Sequence, residues 1–336
     1  MDTLERNLGE LLERPDRPYN PFRKKLYTVE ELMAGYSPTN PHGSLDSTIA
    51  SYYNKEGGQV PKRVQEALAQ RIHDNAIDRG LIRFVQNSGD NQRKMVGIMG
   101  GHSASRTEPN YIKVALIARQ LTLEGYCIVS GGGPGVMEAA NLGAYIAPYS
   151  LLALQDALTI LAQAPTYGKD DSTKVAYIEA AGKVRNKYPK GGDSLSIPTW
   201  AYSDEPISQF PSQIGKYFAN SIREDGLLGI GVFGVIFAPG AAGTMQEIFQ
   251  DATHNSYWTF HSRSPMVFLD NTFYRASPSI YDVLLSRANR DGYADLVTIQ
   301  DDPASIVQYI LDHPPRLEHP QLSRTLGRTT TPYKLD

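Results

Sequence analysis

Cysteine is nearly absent from this sequence: Cys127 is the only one in 336 residues. It has no partner in the chain, which excludes an intramolecular disulfide and cysteine-rich metal sites and points to a cytoplasmic setting. No stretch approaches 18 apolar residues, so nothing is predicted to span a bilayer. The opening stretch MDTLERNLGELLERPDRPYNPFRKK lacks a basic segment followed by an apolar one, and no secretory signal is expected. The net charge is only −3, which gives no electrostatic case for a nucleic acid or membrane partner.

Several catalytic signatures are missing too. None of the Gly-Lys pairs at 168–169, 182–183 and 215–216 has a glycine five positions before its own, so there is no Walker A loop. Neither of the glycine-dense strand-to-helix junctions, at 131–135 and 240–243, has the G-x-G-x-x-G spacing of a dinucleotide site. No H-E-x-x-H pair and no G-x-S-x-G elbow occurs, and the metal-hydrolase and serine-hydrolase readings fall.

What is present is a regular alternation. Apolar runs at 95–99, 126–130, 194–200, 231–238, 265–269 and 295–299 read as strands. Between and after them lie helical patterns at 111–125, 134–147, around 212–227, from 244, at 279–289 and at 303–313. Strands that are apolar throughout and separated by helices predict a parallel sheet covered on both faces, a doubly wound α/β architecture. Residues 1–90, with a helix at 61–79, read as an N-terminal extension to a domain spanning 91–313. Residues 150–190 read as a helical insertion, and 314–336 as a polar, Pro-broken extended tail.

Two strand-to-helix junctions are dense in glycine. IVSGGGPGVMEAAN carries Gly131, Gly132, Gly133 and Gly135; VIFAPGAAGTMQEIFQDA carries Gly240 and Gly243 ahead of Thr244 and Glu247. In a parallel sheet these junctions lie at the carboxyl edge, where ligands bind. Glycine lets backbone N–H groups approach an anion, and the following helix adds free N–H groups and the positive end of its dipole. Glycines at such turns also serve as tight-turn residues, and Thr244-x-x-Glu247 fits a capping box in which Glu247 only steadies a helix start. Spacing does not separate these two readings.

PGAAGTMQE and the earlier SGGGPGVMEAAN resemble the paired motifs of the LOG (Lonely Guy) family, formerly taken for lysine decarboxylases, and SIREDGLLGIGVFGVIFAPG resembles its arginine-bearing helix. The similarity covers roughly 94–300 apart from the insertion. The length is closest in type to the larger bacterial nucleoside 5′-monophosphate nucleosidases. The resemblance implies a Rossmann-like homodimer that is a metal-independent, cofactor-free N-glycosidase. Its reaction would cleave a nucleoside 5′-monophosphate to free base and ribose 5-phosphate, in cytokinin activation or nucleotide salvage. It assigns catalysis to Arg223 and Glu247, and substrate or phosphate binding to the glycine loops and Thr244. Glu247 would stabilise an oxocarbenium-like ribose and orient water, and Arg223 would fix phosphate or ribose geometry.

The loop MGGHSASR (99–106) would line the same crevice through Gly101 and Ser103; His102 and Arg106 could touch substrate there, and exposed loop polarity is the simpler reading of both. Tyr257 and Trp258 can stack on a base or pack against protein. Met137 and Met245 read as core filling. Three residues depart from the family pattern: Ala241 replaces a glycine, Gln246 an acidic residue, and Glu224 a common lysine. They leave open a different class of function, a nucleotide-binding regulatory or sensor protein without turnover.

Overall fold

The computed structural model describes residues 12–86, 92–168, 170–202 and 205–318. Seven strands form one sheet: β1 (Lys94–Met99), β2 (Tyr126–Ser130), β3 (Ser194–Ser196), β4 (Gln213–Ile214), β5 (Val235–Phe237), β7 (Met266–Leu269) and β8 (Val297–Gln300). Their order is β4-β3-β2-β1-β5-β7-β8, and every neighbouring pair is parallel. The chain starts at the centre, winds out to β4, then returns to the other side of β1. That is the doubly wound arrangement, with its switch point between β1 and β5. A separate antiparallel pair joins β6 (Ser262–Arg263) to β9 (Arg316–Leu317).

Period-two geometry sorts the apolar runs onto two cores. Met95, Met99, Val129 and Phe268 enter one; Val96, Ile98, Ile128 and Val267 enter the other. The helices Leu45–Glu56 and Val64–Gln86 of the N-terminal segment pack on the first core through Ile49, Tyr53, Ile77 and Leu81. The helices Leu151–Leu161 and Asp171–Lys187 join the second through Leu154, Leu161, Ala181 and Val184. Cys127 is buried in β2, and burial pushes its thiol up to about 12, so it stays protonated and unreactive at neutral pH.

Two elements differ from expectation. The run 194–200 is strand only to Ser196, because Pro198 has no N–H to donate and the chain turns into a 3-10 turn at Trp200–Tyr202. The helix expected around 212–227 is instead β4 followed by the helix Asn220–Ile230. Ile214 exchanges two backbone hydrogen bonds with Tyr27, at 2.8 and 2.9 Å, which fixes the extended conformation there. Of the tail expected over 314–336, residues 319–336 lie outside the described residues, as do 1–11 and 87–90 of the extension.

Candidate functional site

Three loops at the carboxyl edge are tied together by Gly101. Its N–H donates to Pro239 O after β5 (2.9 Å), and its carbonyl accepts from Val136 N after β2 (3.1 Å). Gly135 makes this approach possible: at φ +69 it sits so close to the first loop that a Cβ would lie 2.5 Å from Gly101 O. Between the loops lies a cleft of about 320 Å³. Gly101, Gly131, Gly132, Gly133, Gly243, Thr244, Arg223 and Glu247 all line it. Ser103, Gly135 and Gly240 do not. Ser103 is exposed, Gly135 lies under the first loop, and Gly240 packs against the Thr244 side chain and Gly101 N.

Arg223 and Glu247 converge, as their positions on two neighbouring helices require. Arg223 Nη1 is 3.6 Å from Glu247 Oε1 and 3.9 Å from Glu224 Oε1. Its Nε donates to Ile197 O at 2.8 Å, and its Nη2 reaches Gly131 O at 3.5 Å. The guanidinium therefore braces the ends of β2 and β3, with Glu224 and Glu247 beside it. Its own helix has no side-chain cap at Ala219; Asp74 holds the residues just before it by accepting from Phe218 N (3.0 Å) and Ala219 N (2.9 Å).

The capping-box reading of Glu247 does not hold. The helix begins at Ala242, with Ala241 as its N-cap, so Thr244 is already inside the first turn. Two of the departures from the family pattern pair with each other instead: Gln246 Nε2 donates to Glu224 Oε2 at 2.6 Å, linking the two helices.

Burial pushes Glu247 up to about 7; the nearby Arg223 opposes the shift without cancelling it, and Glu224 adds to it. The folded value lies above the ordinary 4.5, so the native state holds this proton more tightly and stability falls as pH rises from about 4.5 through 7. Glu247→Gln removes that penalty. It should leave stability near wild type at pH 5 and raise it by about 2–3 kcal/mol at pH 8. Asp251 and Asp78, also raised by burial, are unchanged in the variant and cancel from the comparison. Urea unfolding at the two pH values checks this; an equal effect at both would contradict it.

A scan against known protein families finds no match, and no curated protein matches. Among solved structures, the chain is similar to the molybdenum cofactor binding protein from the phototrophic bacterium Rippkaea orientalis. That match has 16% identity, covers 66% of this chain and 97% of the other, and has a TM-score of 0.40. It is also similar to the molybdenum cofactor carrier protein MCP from Chlamydomonas reinhardtii, at 16% identity, 66% and 100% coverage and a TM-score of 0.39.

These findings correct the family expectation. No family match supports LOG membership, and the two structures are named for cofactor binding. The LOG and nucleosidase assignment, and with it hydrolysis of a nucleoside monophosphate, is withdrawn. The physical reason is that a glycine turn leading into a helix start is what any anion-binding crevice at a switch point needs. Such a motif marks a binding architecture and does not specify a reaction.

Other residues are placed differently from the sequence reading. Arg106 is fully buried: its Nε and Nη2 donate to the two carboxylate oxygens of Glu138 at 2.8 and 2.6 Å. His102 stays exposed, 3.7 Å from Glu205, and lines the cleft. Tyr257 is exposed outside the cleft, while Trp258 lies under the Arg263 guanidinium at 4.1 Å. Met137 lines the cleft, and Met245 packs on the core. Sequence reasoning missed Lys216, Tyr202 and the segment Glu205–Ile207, all in the lining. The one signal for Lys216 is a lone charge within the otherwise apolar IGKYF. Among the described residues, no group of His, Cys, Asp and Glu could hold a metal ion, and no helix is long and apolar enough to cross a membrane.

Proposed function

We propose that this protein binds a phosphorylated small molecule of the nucleotide class in the cleft and holds it without turnover, as a carrier or sensor. One observation carries the reading. Six of the described helices are capped by their own Ser or Asp side chains, at Ser44, Ser150, Asp170, Asp270, Ser279 and Asp302. The helix Ala242–Tyr257 has no such cap, like Pro109–Leu123, Val136–Ile146 and Asn220–Ile230, and its first turn lines the cleft. Its free N–H groups and dipole suit a phosphate. Arg223, braced on backbone carbonyls in the cleft lining, supports a binding role.

Calorimetric titration with nucleoside 5′-monophosphates and the matching nucleosides tests this. The monophosphates should bind about 10–100-fold tighter, the range expected for charge-assisted hydrogen bonds. Molybdenum cofactor, the ligand named for the matching structures, belongs in the same panel. Failure of every phosphorylated ligand to bind would contradict the reading. A cytoplasmic homodimer completes the proposal: Phe249 and Tyr257 lie exposed on one stripe of the helix Ala242–Tyr257, which supports self-association, and light scattering would measure it.

A further inference from the structure

The cleft extends well beyond its phosphate end. Its lining runs from Ala242 after β5, past Gly101 after β1 and Gly132 after β2, to Thr199 after β3 and Lys216 after β4. Four strand spacings separate β5 from β4, so the cleft spans roughly 19 Å of the sheet edge. That leaves room for a second recognition group on the ligand, at the Lys216 end.

The two ends differ chemically. The β5 end offers backbone N–H groups. The β3–β4 end offers apolar and aromatic surface from Pro198, Pro206, Ile207 and the half-exposed ring of Tyr202, together with a buried cation besides Arg223. That cation is Lys216, only 2% exposed. Its ammonium donates to Asp46 Oδ1 at 2.7 Å and lies 5.4 Å from the Trp200 ring, while Trp200 Nε1 donates to the same Asp46 oxygen at 2.9 Å. An ammonium carries three donors, and Asp46 takes one. A flat ring seated against Tyr202 would meet the donors that Asp46 leaves, which suits a ring edge carrying a keto oxygen. An exocyclic amino group at that position offers a donor where an acceptor is needed.

We propose that the Lys216 end of the cleft reads the ring of the ligand and selects a keto-bearing heterocycle over its amino counterpart, with Asp46 of the N-terminal segment as the positioning residue. The proposal rests on the reading of the cleft as a nucleotide site and adds to it the class of base. It also gives the N-terminal segment a function, because the helix Leu45–Glu56 supplies Asp46.

Inosine and adenosine 5′-monophosphates differ at the position in question and form the test pair. In calorimetry the unaltered protein should bind the inosine nucleotide at least about 10-fold tighter, since a site built to donate to an oxygen rejects a group that cannot accept. Lys216→Met should weaken the inosine nucleotide by about that factor and leave the adenosine nucleotide within about 3-fold. Asp46→Asn should move the ratio of the two affinities toward one, a change that a merely stabilising residue would not cause; thermal melting verifies that both variants fold. If the unaltered protein binds both nucleotides equally, the ring assignment is overturned and the nucleotide reading stands. If Lys216→Met weakens both alike, the lysine holds the phosphate and the assignment again fails. If neither nucleotide binds, the underlying reading fails first. The ratio in the unaltered protein decides the question even where a variant does not fold.

Discussion

Replacing Arg106 by leucine should destabilise the protein by about 3–5 kcal/mol, the cost of leaving a buried carboxylate without its partner. Glu138, 1% exposed, accepts from Arg106 and from the hydroxyls of Tyr111 and Tyr177, at 2.8 and 2.7 Å. Burial and the Glu138 charge hold both phenols well above their ordinary range, so they remain donors. Arg106 also donates to Ala164 O (3.1 Å) and Tyr177 O (3.2 Å), and its guanidinium lies 3.3 Å from the Tyr177 ring centroid. One buried network thereby joins the loop after β1, the helix after β2 and the inserted helices. Urea denaturation of Arg106→Leu, Glu138→Leu and the double variant measures it. The double variant should recover much of the loss, because two apolar side chains leave no charge buried. A loss below about 1 kcal/mol in the arginine variant would show that the network does not hold the loops.

Gly135→Ala should cost at least about 2 kcal/mol and weaken ligand binding about 10-fold or more. The added methyl would lie 2.5 Å from Gly101 O and 2.7 Å from His102 O, at a positive φ that alanine disfavours. Both neighbours are backbone, so relief requires the first loop to withdraw from Val136 N, which opens the cleft. The same substitution at Gly243 meets nothing within 4 Å and should change stability by less than about 0.5 kcal/mol. Melting curves for the two variants make the comparison. Equal effects would mean that the loop contact at Gly135 is dispensable.

The doubly wound sheet was legible because its central strands are short apolar runs buried on both faces, and nothing else in the chain competes with that pattern. β4 was not legible. Two residues carry no periodicity, and Gln213–Ile214 is extended only because β3 and Tyr27 pair with it. The convergence of Arg223 and Glu247 was readable from one helix leading into the glycine strand and the next helix leaving it. The burial of Arg106 was not, since its partners lie 32 and 71 residues away at Glu138 and Tyr177. Lys216 was missed for the same reason: its partner Asp46 is 170 residues distant, within a segment that reads as packing. The glycine motifs revealed the crevice and overstated its chemistry, because binding and hydrolysis of a phosphorylated ligand begin from the same loop.

Phosphorus NMR of a nucleoside 5′-monophosphate incubated with the protein tests the central claim in one tube. The account predicts a ligand resonance shifted or broadened by occupancy of the cleft, with no second resonance accumulating over hours. An unperturbed ligand signal would remove the binding claim, and a growing sugar-phosphate signal would show turnover where the account predicts none.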